Sequence, residues 1–213
     1  MLSLKIFTFN PLGENTYILY HKNKSAWLID PGTYWEEERR ELDNFLKSNN
    51  LNIEKILLTH GHIDHVMGLQ WAAERYGAST YLHEADEPLL KTFHLTGERF
   101  GMQLQPISLE TKRLNEGEEL DFYGEILRVL HIPGHSPGSL VFYHEKGKFA
   151  ISGDVLFEGS IGRTDLPGGN YELLIKGIRE KLLTLPPDTK IFPGHGNATS
   201  IGFERDHNPF LRD

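Results

Sequence analysis

The chain has 213 residues, 38% apolar and 24% charged, which is the make-up of a globular chain long enough to bury a core. It contains no Cys, so disulfide scaffolds, Cys-ligated zinc, iron–sulfur clusters and thiol nucleophiles are excluded together. Its 22 basic and 30 acidic residues give a net charge of −8 with no Lys/Arg cluster to serve a nucleic acid, and no run approaches the roughly 18 apolar residues of a membrane span.

Residues 4–9, 16–21 and 25–30 are short apolar or β-branched runs and read as strands. Turn residues separate them at 10–13 (NPLG) and 21–24 (HKNK). From 36 to 46 the period changes, and Leu42, Phe45 and Leu46 share one helical face. A strand, KILLT, follows at 55–59 and runs into THGHIDH. A helix is predicted from about Asp64, with Val66, Leu69, Ala72, Ala73 and Tyr76 on its apolar face and Gly77 as its stop. STYLH at 79–83 reads as a strand and EADEPLLK at 84–91 as a short helical piece, while 92–112 shows no clean period. Strands are then predicted at 126–133, 139–145 and 148–154, a helix at 171–185 and a last strand at 190–195. Strands and helices alternate with hairpins and no linker, which predicts one layered domain over 1–213 and argues against a purely parallel doubly wound sheet.

The chain carries eleven His, and three of them fall at 60, 62 and 65. In His60-x-His62-x-Asp64-His65, the first two side chains point the same way if the backbone stays extended past its strand. Asp64 and His65 lie at the turn into the helix, where they can face a second ion. Imidazole and carboxylate suit zinc, iron and manganese. One loop cannot close a metal shell, so further donors are sought at strand ends beside glycines. His135 in PGHSPG, Asp154 in SGD and His195 in PGHG meet that test. Each motif alone is an ordinary loop corner; the whole set in four strand-end segments is not. His21, His83, His94, His131, His144 and His207 receive no role.

THGHIDH, PGHSPGS, SGDVLF and PGHG, in that order, resemble the metallo-β-lactamase superfamily along the whole chain. The resemblance implies an α+β fold, a four-layer αββα sandwich with a dinuclear site at one edge. It implies that His60, His62 and His135 hold one metal, that Asp64, His65 and His195 hold a second, and that Asp154 bridges them. Asp30, in LIDPG, resembles the supporting acid beside the site. The absence of Cys separates the chain from class B1 and B2 lactamases, and Asp154 separates it from class B3. GSIGRTDLPGG and the ending PGHGNATSIGFERDHNPFL are similar to the short bacterial members of the glyoxalase II-like group, which resemble glyoxalase II without its C-terminal helical extension.

That branch implies a metallohydrolase with two divalent ions, zinc foremost, with iron and manganese as alternatives. The expected reaction is cleavage of a thioester such as S-lactoylglutathione by a hydroxide generated at the metals, with Asp64 and Asp154 as the catalytic carboxylates. Arg163 and Tyr171 are expected to contact substrate. A mononuclear iron persulfide dioxygenase is the alternative, since its family has a segment similar to Gly162-Arg163-Thr164-Asp165. The partner is expected to be the small thioester alone, with no nucleic acid and no membrane, in a monomer or small homo-oligomer. The N-terminal run lacks a basic n-region, which predicts a cytoplasmic location.

Overall fold

The structure, a computed structural model, describes residues 2–99 and 101–212. The chain divides into two compact units, Met1–Arg113 and Leu114–Asp213.

The first unit holds β1 (Leu2–Phe9), β2 (Glu14–His21), β3 (Ser25–Ile29), α1 (Glu36–Ser48), β4 (Asn52–Leu57), α2 (Ile63–Val66), α3 (Leu69–Tyr76), β5 (Ser79–Leu82), α4 (Glu87–Arg99) and β6 (Thr111–Arg113). The strands form one sheet in simple sequence order. Short turns make β1, β2 and β3 antiparallel, whereas helical crossovers make β3, β4, β5 and β6 parallel. Parallel pairing brings the C-terminal ends of β3 and β4 to the same sheet edge, and with them Asp30 and the segment that begins at Thr59. Ile18, Leu28, Leu42, Ile56, Leu69 and Phe93 anchor the apolar core of this unit.

Two helices differ from expectation. The helix predicted from Asp64 to Tyr76 is broken between α2 and α3. Its missing rung is the bond from the Gly68 amide to the Asp64 carbonyl. Gly68 donates instead to the Pro31 carbonyl at 2.8 Å, and the Asp64 carbonyl accepts from the Asn10 side-chain amide at 3.0 Å. A Cβ at position 68 would lie 2.1 Å from Thr33 Oγ1, so only Gly admits this approach. Beyond the break α3 ends as predicted, with Gly77 in the left-handed region. The piece expected at 84–91 is a 3-10 turn, Glu84–Asp86, followed by α4, which continues to Arg99 by burying Leu90, Phe93 and Gly97.

The second unit holds β7 (Glu119–Phe122), β8 (Glu125–His131), β9 (Leu140–His144), β10 (Phe149–Gly153), β11 (Leu156–Phe157), β12 (Ser160–Ile161), α5 (Tyr171–Gly177), β13 (Lys190–Pro193), β14 (Thr199–Ser200) and α6 (Ile201–His207). The main sheet runs β14-β13-β10-β9-β8-β7, and β11 pairs with β12 as a separate hairpin. All pairs are antiparallel except β10 with β13, which are joined through α5. That one parallel pair puts Asp154, after β10, and His195, after β13, at a common edge. The β8–β9 loop opens at the same edge because β9 runs antiparallel to β10, and it carries His135. The helix predicted over 171–185 is α5 continued by a π-helical segment, Ile178–Leu182. β6, β7, β14, α6 and the β11–β12 hairpin were not predicted. Among the described residues no helix is long and apolar enough to cross a membrane.

Candidate metal centre

In the first unit the HxHxDH segment follows β4 as a short loop into α2. His62 is the N-cap of α2, with φ −70° and ψ 154°, and Asp64 and His65 occupy the first turn of that helix. The predicted turn of the backbone between the two donor pairs is therefore present. The His60 ring lies 4.7 Å from that of His62 and 4.1 Å from that of His65, and His65 Nε2 is 3.8 Å from Asp64 Oδ2. His60, Asp64 and His65 are buried.

Asp30 is fully buried beneath this loop. Its Oδ1 accepts from the Thr59 amide at 2.7 Å, and its Oδ2 from the Thr59 hydroxyl at 2.5 Å and from His65 Nδ1 at 2.9 Å. Potential ligand atoms of Asp30, His60 and His65 all lie within 4.8 Å of one another. Asp30 is nonetheless committed on both oxygens to hydrogen bonds. Its contact with His65 Nδ1 turns Nε2 of that ring towards Asp64, the carboxylate–imidazole arrangement found in metal proteins.

Three supporting residues were not singled out from the sequence. Thr59 holds Asp30. Asp86 accepts from the Gly61 amide at 2.9 Å and so pins the HxH turn from the next strand's end. Glu14 is fully buried, with Oε1 3.9 Å from His65 Nδ1. Burial pushes its carboxyl well above the ordinary carboxylate range, against the opposing pull of His65. Glu14 and Asp86 are acids buried beside a histidine loop, and no signal in the sequence marks either one.

In the second unit His135 Nε2 and His195 Nε2 lie 3.5 Å and 3.6 Å from the same oxygen, Oδ2 of Asp154. His135 is buried, and its Nδ1 donates to the Arg163 carbonyl at 2.8 Å, which turns Nε2 towards Asp154. The Arg163 carbonyl is thus what touches the site histidine. The guanidinium forks onto Asp165 at 2.8 Å for both bonds and is exposed. Tyr171 is exposed at the start of α5, behind the Asn170 cap. Within each unit, then, the predicted donors are gathered at one sheet edge. Imidazoles, two of them oriented through Nδ1, together with the carboxylates of Asp64 and Asp154 make a donor set whose chemistry fits a divalent ion.

A family profile described as the Metallo-beta-lactamase superfamily matches residues 9–195. The chain belongs to this superfamily. It is 38% identical over 212 residues to the hydroxyacylglutathione hydrolase GloC of Haemophilus influenzae, covering 99% of this chain and 98% of that protein. Among solved structures it is similar to the BLEG-1 B3 metallo-beta-lactamase, with a TM-score of 0.90 and 36% identity over 99% of this chain and 100% of that one. TTHA1623, solved in a di-iron-bound form, has a TM-score of 0.87 and 39% identity over 97% and 100% of the two chains. The fold is the metallo-β-lactamase fold expected from the motifs, an α+β fold with two central sheets.

Proposed function

We propose that the chain is a dinuclear metallohydrolase that cleaves a small thioester of the S-lactoylglutathione type. The observation that carries this reading is the near full-length match to GloC. In it His60, His62 and His135 would hold one ion and Asp64, His65 and His195 the other, with Asp154 shared between them. When bound, two divalent ions supply Lewis acidity and bring a water pKa from 15.7 towards about 7. The chain's own residues do the rest. Asp30 and the Arg163 carbonyl hold the imidazoles of His65 and His135 in register and lock their tautomers. Burial of His60, His65 and His135 keeps bulk water from competing for them. Asp64 accepts a hydrogen bond from the attacking water and aligns it with the thioester carbon. Tyr171 and the Arg163 guanidinium contact the acyl-thiol, and an anionic substrate group competes with Asp165 for Arg163.

Zinc, iron and manganese all suit this donor set, and elemental analysis of the purified protein identifies the resident ion. The deciding assay is release of free thiol from S-lactoylglutathione. Turnover by the wild type and its loss in His62→Ala support the proposal. Fully loaded protein that cleaves no acyl-thioester contradicts it. The Gly162–Asp165 segment, whose Arg163 carbonyl holds His135, favours a second reading as an iron persulfide dioxygenase. Oxygen uptake with glutathione persulfide by protein holding one iron per chain is the result that reading requires. A β-lactam included in the same panel covers the chemistry named for BLEG-1.

A further inference from the structure

Glu204 is fully buried on α6, and nothing in the metal-centre reading uses it. Its Oε1 accepts from the Thr199 hydroxyl at 2.5 Å and from the Gly159 amide at 3.2 Å. Its Oε2 accepts from the same Gly159 amide at 3.0 Å and from the Asn208 side-chain amide at 2.7 Å. A carboxylate hidden from water is tolerated only when its oxygens are satisfied in this way. Asn208, one helical turn on, also donates to the Ser160 carbonyl at 3.0 Å.

These donors are not scattered. Gly159 turns the β11–β12 hairpin, which starts just after Asp154 and leads directly into Arg163, the residue whose carbonyl holds His135. Thr199 opens β14, at the far end of the loop that carries His195. The hairpin pairs only Leu156 with Ile161 and Phe157 with Ser160. A two-stranded ribbon this short does not fix its own orientation. Leu156 and Ile161 anchor its two strands in the apolar core of this unit, and Gly159 and Ser160 tie its turn to α6, whose Ile201 is packed in the same core.

We propose that Glu204 is a positioning residue for the metal-binding side chains of this unit. From behind the site it clamps the hairpin that follows Asp154 to the strand that follows His195. The proposal rests on reading His135, Asp154 and His195 as metal ligands, and is independent of which substrate is turned over.

The test is Co(II) loading of the whole chain, with affinity read by competition against a chromophoric chelator and geometry read from the visible absorption band. Circular dichroism at the same temperature reports folding. Glu204→Ala is expected to lose about 10- to 100-fold in affinity, the usual effect of removing an outer support of a metal site, and to show a changed Co(II) band. Glu204→Gln is expected to recover most of the affinity, because its amide can donate to the Thr199 hydroxyl while its oxygen accepts from Gly159 and Asn208. A folded Glu204→Ala protein with wild-type affinity and spectrum overturns the proposal. If that variant does not fold, Thr199→Val decides, since it removes only the tie to the His195 strand: weakened Co(II) binding supports the clamp and unchanged binding overturns it. Wild-type protein that takes up no Co(II) contradicts the metal-centre reading itself and takes this proposal with it.

Discussion

Asp30 sits at φ 50°, a backbone region that non-glycine residues rarely adopt and that Asn and Asp tolerate best. The chain holds this conformation where both carboxylate oxygens serve Thr59 and His65. Asp30→Asn keeps a residue suited to the backbone but removes the charge that favours a proton on His65 Nδ1. Metal affinity is expected to fall about 10- to 100-fold while the thermal midpoint of the metal-free protein changes little; chelator competition and a thermal melt on one sample read both. Gly162 makes a purely steric demand. A Cβ there would lie 1.8 Å from the Asp154 carbonyl oxygen and 3.0 Å from His135 Nδ1. Gly162→Ala is expected to cost about 1–3 kcal/mol in urea unfolding, as overpacking does. At this scale the candidate donors were legible because His and Asp beside Gly at strand ends are unusual in combination. Glu14 and Asp86 were not, because an acid in or beside a strand ordinarily faces water.

Elements were legible where one periodicity ran undisturbed and illegible where a tertiary partner cut across it. Residues 36–46 carry a clean helical face, and α1 spans them. The break at Gly68 depends on Asn10 and Pro31, more than thirty positions away, and no local pattern encodes it. α4 outran its expected end because His94, Thr96 and Gly97 dilute the apolar face that Leu90 and Phe93 continue. The β8–β9 pair carries its own titrating element. His144 Nε2 donates to Glu125 Oε2 at 3.2 Å, and its Nδ1 accepts from the Gly147 amide at 3.1 Å, so the neutral imidazole closes the turn after β9. Burial holds its pKa below the ordinary 6.5, against the upward pull of Glu125. A base harder to protonate folded than unfolded contributes its full stability above about pH 6.5 and loses it as pH falls towards the depressed folded value. Thermal melts of metal-free protein between pH 7 and pH 5 are expected to show a falling midpoint, with a flatter profile for His144→Gln. Parallel profiles for the two proteins contradict this.

Across the whole molecule the order of the motifs along the sequence carried the family, because each motif follows a strand that ends at its unit's ligand edge. Parallel pairing of β3 with β4 and of β10 with β13 sets those edges. Strands and helices alternate in both halves of the sequence, and no linker or shift in composition marks residue 113, where the two compact units divide. Ions that bind the folded chain alone stabilise it, by about 4 kcal/mol at a thousandfold excess over Kd, so a strong chelator is expected to lower the thermal midpoint of the loaded protein. The central proposal, that His60, His62, Asp64, His65, His135, Asp154 and His195 are ligands of two ions, is tested most directly by the metal-to-protein ratio of the purified chain. Two divalent ions per chain, falling in both His60→Ala and His135→Ala, is the predicted result. A ratio of one, or a ratio that either substitution leaves unchanged, contradicts the account.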